Sequence, residues 1–178
     1  MQDAKRAARF SRADFVHAIE MPIACLIAYW IITYGLARFV DPSTDILGGM
    51  WTVIATIFVF RETGSASLAA GMSRLIATCV SFALCLPYLL LFPSNPGTMA
   101  LLLAFGTIVM TLLGRRDDII TTAITTAVVM VVAAISPQEA WRQPLLRLVD
   151  TVVGVGVGVC CRWIAALLSS KLVGEPAQ

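Results

Sequence analysis

The sequence predicts an all-α integral membrane protein with six transmembrane helices, arranged as two inverted three-helix repeats. Composition is the first indication, because 58% of the 178 residues are hydrophobic and only 13% are charged. A soluble domain has about 25% charged residues. The second indication is a series of apolar segments close to the ~20 residues that a helix needs to cross a bilayer. The third is a five-residue pattern that occurs twice in the chain.

The apolar segments divide a single transmembrane domain, residues 1–178, into two units of three helices. The second segment is short as an apolar run, and Asp45 and Arg61 at its ends can extend their polar groups to the membrane surface. The repeat units cover about 16–92 and about 97–168. The expected helices are about 16–38, 47–60, 68–92, 97–114, 118–135 and 145–168.

The repeated pattern is RLIAT at residues 74–78 and RLVDT at residues 147–151, 73 positions later. Insertion of an arginine at the bilayer centre costs about 2.5–3.5 kcal/mol of free energy, so two arginines in matching places indicate a functional role. Chance similarity between two Ala/Val/Leu-rich helices is the alternative. Steps of three and four residues place the matched positions on one helix face. These positions are Ser67, Gly71, Arg74, Thr78, Ser81 and Cys85 in the first copy, and Ala140, Pro144, Arg147, Thr151, Gly154 and Gly158 in the second.

The distribution of basic residues predicts that both termini are cytoplasmic. With the N-terminus inside, ten of the 13 lysines and arginines fall on the cytoplasmic side, and Arg38, Arg142 and Arg147 fall outside. Cytoplasmic loops are enriched in Lys and Arg. Because each unit has an odd number of helices, the second unit is inserted upside down relative to the first. Inverted repeats of this kind build many transporters, with the substrate path between the halves.

Arg74 and Arg147 are the candidate anion-binding residues of this path. Arg74 enters from the inner end of the third helix and Arg147 from the outer end of the sixth, so that one arginine lies toward each mouth. Threonine hydroxyls near them are candidate donors to an anion, although a threonine in a helix also bonds to its own preceding turn. The threonines of the predicted pathway are Thr78, Thr151, Thr52 and Thr125.

Three titratable residues are candidates for proton coupling, since a proton-coupled carrier needs a titratable group that reaches water. Asp150 lies one turn after Arg147 and can pair with it, whereas Arg74 has Ala77 at that position. His17 and Glu20 lie one turn apart near the inner end of the first helix. The structural alternatives are a charge-neutralising Arg147–Asp150 pair and a polar interfacial turn at His17–Glu20.

Small residues on the same faces predict close helix packing, which is the main source of helix association in lipid. The packing candidates are Gly71 and Ser81 on the third helix and Gly154 and Gly158 on the sixth. The glycine face of the sixth helix is expected to meet the third helix or a second copy of the chain. Trp51 lies near the end of a membrane segment and is interpreted as an interfacial anchor.

The stretch from Gly48 to Pro87, with Arg74-x-x-x-Thr78 on its second helix, resembles the fusaric acid resistance or aromatic acid exporter type of bacterial membrane protein. Such proteins show a pattern like R-x-x-G-T-x-x-G on the third helix, where this chain has Ala77 and Ser81 in place of the glycines. The resemblance covers the whole chain as one short, membrane-only unit, and the plant aluminium-activated malate channels are distantly similar. It implies a homodimer with arginines along an anion path.

Taken together, these features and the resemblance predict a bacterial inner-membrane transporter that exports small organic anions such as aromatic carboxylates. An anion channel and a non-transporting accessory subunit of a membrane complex are the alternatives. The expected partners are the lipid bilayer, a small organic anion and a second copy of the chain, and not nucleic acid. No cofactor or metal is implied, and no paired acids, HExxH motif or serine–base arrangement indicates an enzyme.

We expect reporter fusions at Gly174 and in the loop at Asn95 to report opposite sides of the membrane, with Gly174 inside. The reason is the asymmetry of basic residues between alternate loops. Paired phosphatase and fluorescent-protein fusions at each position measure the two sides independently. A cytoplasmic Asn95 would contradict both the topology and the inverted arrangement.

Overall fold

The computed structural model describes residues 12–36, 45–61, 63–137 and 140–173, without the side chains of residues 12–17, 36, 45 and 168–173. Helices joined by short turns make up these ranges, which contain no strand, and this confirms the all-α class. The helices are α1 (Arg12–Trp30, continued by a π-helical segment Ile31–Leu36), α2 (Asp45–Val59), α3 (Gly64–Leu91), α4 (Pro96–Leu112), α5 (Ile119–Ile135, preceded by a 3-10 turn Arg116–Asp118) and α6 (Arg142–Val173).

Four stretches within the described ranges are long and apolar enough to cross a bilayer, as judged by length and composition. They are Ala18–Gly35, Gly64–Leu91, Arg116–Ile135 and Arg142–Leu167. Two further apolar helices, Ile46–Val59 and Pro96–Leu112, are shorter. At 1.5 Å per residue, the longest helices exceed the ~30 Å hydrocarbon core. The chain is therefore a multi-pass membrane protein.

Local sequence explains where several helices begin and end. The Thr63 side chain accepts a hydrogen bond from the Ala66 amide at the start of α3, and Asn95 does the same for Thr98 at the start of α4. Both are preferred N-cap residues, and Pro96 suits the first turn of α4. Gly114 follows α4 with φ 72°, a left-handed conformation that glycine adopts without strain.

The helices pack as two groups of three, and each group contains the last helix of the other half of the chain. One group is α1, α2 and α6, and the other is α3, α4 and α5. The most extensive contact in the molecule joins the two groups, between α3 and α6. These two helices run antiparallel, because Gly71 lies against Val155 while Thr78, further along α3, lies against Thr151.

The glycine face of α6 packs against α2, which corrects the expectation that it meets α3 or a second copy. A Cβ added at Gly154 would lie 2.6 Å from the Thr52 carbonyl oxygen, and one added at Gly158 would lie 3.4 Å from the Thr56 carbonyl oxygen. The Thr56 hydroxyl also lies 3.1 Å from the Gly154 carbonyl oxygen. The backbones of α2 and α6 thus approach closely, as small residues in membrane helices permit.

On α3, Gly71 and Ser81 also lie at helix contacts. A Cβ at Gly71 would lie 2.8 Å from Cγ1 of Val155, so this glycine makes room for α6. Ser81 faces α5 and accepts a hydrogen bond of 3.1 Å from the Thr126 hydroxyl. The small residues of α3 therefore contact two different neighbours.

Gly154→Ala should destabilise the folded protein, whereas Gly156→Ala should leave it unchanged or slightly more stable. The first adds a Cβ against backbone atoms of α2, and overpacking typically costs about 1–3 kcal/mol. The second adds a Cβ where no atom lies within 4 Å, and alanine gains up to about 1 kcal/mol of helix propensity over glycine. Thermal unfolding in mild detergent compares the two variants, and equal midpoints would contradict the α2–α6 contact.

Candidate functional site

The face predicted from the repeat lies inside the bundle in both copies. All twelve matched positions on α3 and α6, from Ser67 to Cys85 and from Ala140 to Gly158, are buried. Both arginines are included, at 7% exposure for Arg74 and 5% for Arg147. A guanidinium group that is shielded from lipid and from bulk solvent must find its partners within the protein or from a ligand.

A threonine pair marks the centre of the α3–α6 contact. The Thr78 hydroxyl donates to the Arg74 carbonyl oxygen at 2.9 Å and lies 3.4 Å from the Thr151 hydroxyl oxygen. Because the helices are antiparallel, Arg74 and Arg147 lie on opposite sides of this pair, each one turn away. Eight residues of helical rise separate their backbones by about 12 Å along the axis.

Among the described residues, Arg74 has an aromatic neighbour but no carboxylate partner. Its Cζ atom lies 4.6 Å from the centre of the Phe58 ring on α2. In the described part of the chain, its Nε and NH1 atoms are buried without a hydrogen-bond acceptor. A buried cation–π contact contributes about 2 kcal/mol, which does not replace the hydrogen bonds of a guanidinium group. Two donor nitrogen atoms, Nε and NH1, are therefore available to an acceptor that enters from outside.

Arg147 has a carboxylate partner in addition to an aromatic neighbour. Its Cζ atom lies 4.1 Å from the centre of the Trp51 ring, and its NH1 atom lies 3.4 Å from Oδ2 of Asp150. The predicted ion pair within α6 is thus present. Among the described residues, Arg147 Nε and Trp51 Nε1 still have no acceptor.

Asp150 occupies space that a glycine on α2 leaves open. The carboxylate is 4% exposed, and a Cβ added at Gly48 would lie 3.2 Å from its Oδ1 atom. The same Cβ would lie 3.3 Å from Cγ2 of Ile32 on the π-helical segment. The Asp150 side chain is therefore confined between α1, α2 and its own arginine.

Both arginines line one narrow cleft whose walls come from α2, α3, α5 and α6. Of the six predicted pathway residues, four line it, and Thr78 and Thr52 lie behind its wall, with Thr52 donating to the Gly48 carbonyl oxygen at 2.9 Å. The lining residues are Trp51, Arg74, Ile124, Thr125, Val128, Arg147 and Thr151. Thr125 donates to the Thr121 carbonyl oxygen at 2.9 Å, so its hydroxyl proton is already used inside its own helix.

Trp51 is the site residue that the sequence interpretation missed. It was assigned to the membrane interface, yet its ring stacks on Arg147 inside the bundle. The repeat indicates that Trp51 belongs to the site, because the 73-residue offset aligns Trp51 with Ile124. Both residues line the cleft, from α2 and from α5.

A second cavity, here called the vestibule, adjoins Arg74 on the side away from the threonine pair. Phe58, Arg61, Ala70, Ser73, Arg74, Asp117, Asp118 and Thr121 line it. Asp118 is neutralised there, since Arg115 Nε lies 2.6 Å from its Oδ2 atom and Ser73 donates to its other oxygen. Arg74 therefore stands between the vestibule and the cleft.

Glu20 lies in an ion pair outside the cleft. Its Oε2 atom lies 3.2 Å from NH1 of Arg162, whose Nε donates to the Arg61 carbonyl oxygen at 3.0 Å. This arrangement joins α1 to α6 and satisfies a carbonyl beyond the end of α2. The side chain of His17 lies outside the described residues, so the role predicted for it stays a prediction.

A comparison with models of protein families identifies the family of this chain. The model of the family described as fusaric acid resistance protein-like matches residues 23–161, which is most of the chain. The chain therefore belongs to this family, as its resemblance in sequence implied, and the membership supports a function in membrane transport or resistance. Comparisons with curated proteins and with solved structures give no match.

Arg74→Met should raise the stability of the purified protein, and Arg147→Met should lower it. The first removes a buried charge that has no carboxylate partner, which we expect to contribute about 1–3 kcal/mol. The second leaves Asp150 buried and unpaired, and breaking such a pair costs about 3–5 kcal/mol. Thermal unfolding in detergent without added anions measures both. A destabilised Arg74→Met variant would indicate that Arg74 has a structural role.

Proposed function

We propose that this member of the fusaric acid resistance protein-like family transports small organic anions across the bacterial inner membrane and releases them outside. One observation supports the proposal above all others. Four buried donor nitrogen atoms, on Arg74, Arg147 and Trp51, have no acceptor among the described residues, and all belong to residues that line a single cleft. An acceptor-rich ligand would satisfy these groups, and a guanidinium group binds a carboxylate with two parallel hydrogen bonds.

The walls of the cleft support aromatic carboxylates as substrates. Trp51, Ile124 and Val128 supply apolar surface next to the arginines, and Phe58 lies beneath Arg74 at the vestibule. The cleft is closed in this structure, with a volume of about 10 Å³, so a ligand with a flat apolar body and one carboxylate would place each part against a matching surface only in a more open state. Aromatic rings also favour offset or edge contacts with other rings.

We further propose that the two halves are inverted repeats related by a pseudo-two-fold axis near Thr78 and Thr151. Exchanging α1 with α4, α2 with α5 and α3 with α6 converts each packed pair of helices into another packed pair. The contact of Thr33 with Gly49 matches that of Gly106 with Thr122, at the 73-residue offset and with the residue types exchanged. These contacts support the repeat independently of the arginine pattern.

The direction and the assembly are proposals from the same geometry. With both termini cytoplasmic, the vestibule beside Arg61 and Asp117 opens to the inside, so an anion would meet Arg74 first and Arg147 later. The cleft between α2 and α5 would be completed by a second copy of the chain in a homodimer. Chemical crosslinking in native membranes tests the dimer.

A carrier and a channel differ in whether the flux is driven uphill. Of the two candidate groups for proton coupling whose side chains the structure describes, Asp150 is the better placed, because it contacts the cleft arginine while Glu20 pairs with Arg162. In a proton-coupled carrier, a proton gradient across liposomes would accumulate benzoate against its concentration gradient beyond the accumulation in protein-free liposomes, where neutral benzoic acid crosses the bilayer unaided. In a channel, benzoate would only equilibrate with the membrane potential.

Arg74→Ala should reduce carboxylate flux at least tenfold in liposomes without lowering the amount of protein in the membrane. The variant removes the donors that stand between vestibule and cleft. Arg74→Lys should retain part of the flux if charge suffices, and little if the two-point geometry of arginine is needed. The flux of radiolabelled benzoate is the measurement.

Arg116→Ala serves as the matched control, because it removes an exposed positive charge from the α4–α5 turn, outside the lining of the cleft and vestibule. Its flux should equal that of the unmodified protein. Normal flux in Arg74→Ala would overturn the pathway role and favour an accessory subunit whose arginines serve helix contacts.

A further inference from the structure

We propose that Asp150 sets the valence of the transported anion, so that the cleft accepts monovalent anions in preference to divalent ones. The inference rests on the proposed transport function and specifies the substrate class of the same site. It assigns Asp150 a role as a specificity-determining residue that acts through Arg147, with no direct contact with the substrate.

The charges around the cleft give it a net charge of +1. Arg74 and Arg147 are the two cations among the lining residues. Asp150 pairs with Arg147 at 3.4 Å and is itself buried. The remaining lining residues are Trp51, Ile124, Thr125, Val128 and Thr151, which are all uncharged.

A cleft with a net charge of +1 discriminates between anions by the net charge that the occupied cleft carries. A monovalent carboxylate brings the cleft to neutrality, whereas a divalent one leaves a buried net charge of −1. Uncompensated charge in a low-dielectric site is costly. A second cation in place of the neutralised pair would reverse the preference, since attraction grows with the product of the charges.

The two halves of the chain differ at the positions that create this charge. At the 73-residue offset, Asp150 corresponds to Ala77 and Gly48 corresponds to Thr121. In one half a small residue on the second helix makes room for a carboxylate, and in the other half a methyl group stands at the carboxylate position. Only one of the two arginines is therefore neutralised, and the cleft keeps a single net charge.

The test compares downhill efflux of benzoate, a monovalent anion, with that of isophthalate, a divalent anion of the same ring. Both are loaded into liposomes that contain the full chain, at neutral pH without a proton gradient. The unmodified protein should release benzoate faster, after subtraction of the leak from protein-free liposomes. Asp150→Asn, which is nearly isosteric, should raise the isophthalate-to-benzoate ratio by about tenfold or more. An unchanged ratio in this variant would overturn the inference.

Ile124→Lys decides the question if Asp150→Asn does not accumulate. It adds a cation to the cleft lining at a position that is 45% exposed, and it leaves the Arg147–Asp150 pair in place. The isophthalate-to-benzoate ratio should rise in this variant too, since the net charge of the cleft, and not the Arg147–Asp150 pair itself, determines the preference. A rise in this variant supports the inference, and an unchanged ratio overturns it.

Glu20→Gln is the control, because it removes a partly buried carboxylate that pairs with Arg162 and does not line the cleft. Its ratio should equal that of the unmodified protein, and a comparable rise would overturn the assignment to Asp150. Absence of any protein-dependent flux, for both anions in all variants, would instead overturn the transport function on which the inference rests.

Discussion

The burial of two arginine side chains among membrane helices is the constraint on which this structure depends. Each guanidinium group needs a shielded position, and the antiparallel contact of α3 with α6 supplies both positions at once. The contact is close because small residues and threonines occupy its centre, where the Thr78 and Thr151 hydroxyl oxygens lie 3.4 Å apart. The same close packing leaves little room for polar partners, so part of each arginine remains unsatisfied.

The two arginines show how one repeated motif acquires two environments. Arg74 contacts Phe58 and borders a vestibule, and Arg147 contacts Trp51 and Asp150. The difference comes from neighbours on other helices more than from the motif itself. It gives Arg147 a carboxylate partner within its own helix and leaves Arg74 without one among the described residues.

Much of the helical layout and the buried face could be predicted from sequence, because both follow from local periodicity. Apolar segments near bilayer length predict the helices, and steps of three and four residues place Arg74 and Thr78 on one helix face. The partner of the glycine face could not be predicted. Gly154 packs on α2 and not on α3, and this choice depends on the relative rotation of helices far apart in the chain. Trp51 was misassigned for the same reason, since a tryptophan near a helix end suits both an interface and a buried cation.

The packing of α3 against helices from the second half of the chain has a consequence for biosynthesis. After the first three helices have been made, α3 lacks α5 and α6, the helices that cover most of its buried face. Arg74 is then exposed to lipid or must extend toward a membrane surface until the last helix arrives. Neither half of the chain forms a self-contained three-helix group, so the fold is completed only when α6 inserts beside α2. Insertion and folding are thereby linked, because the buried position of Arg74 is complete only after the second half has been made.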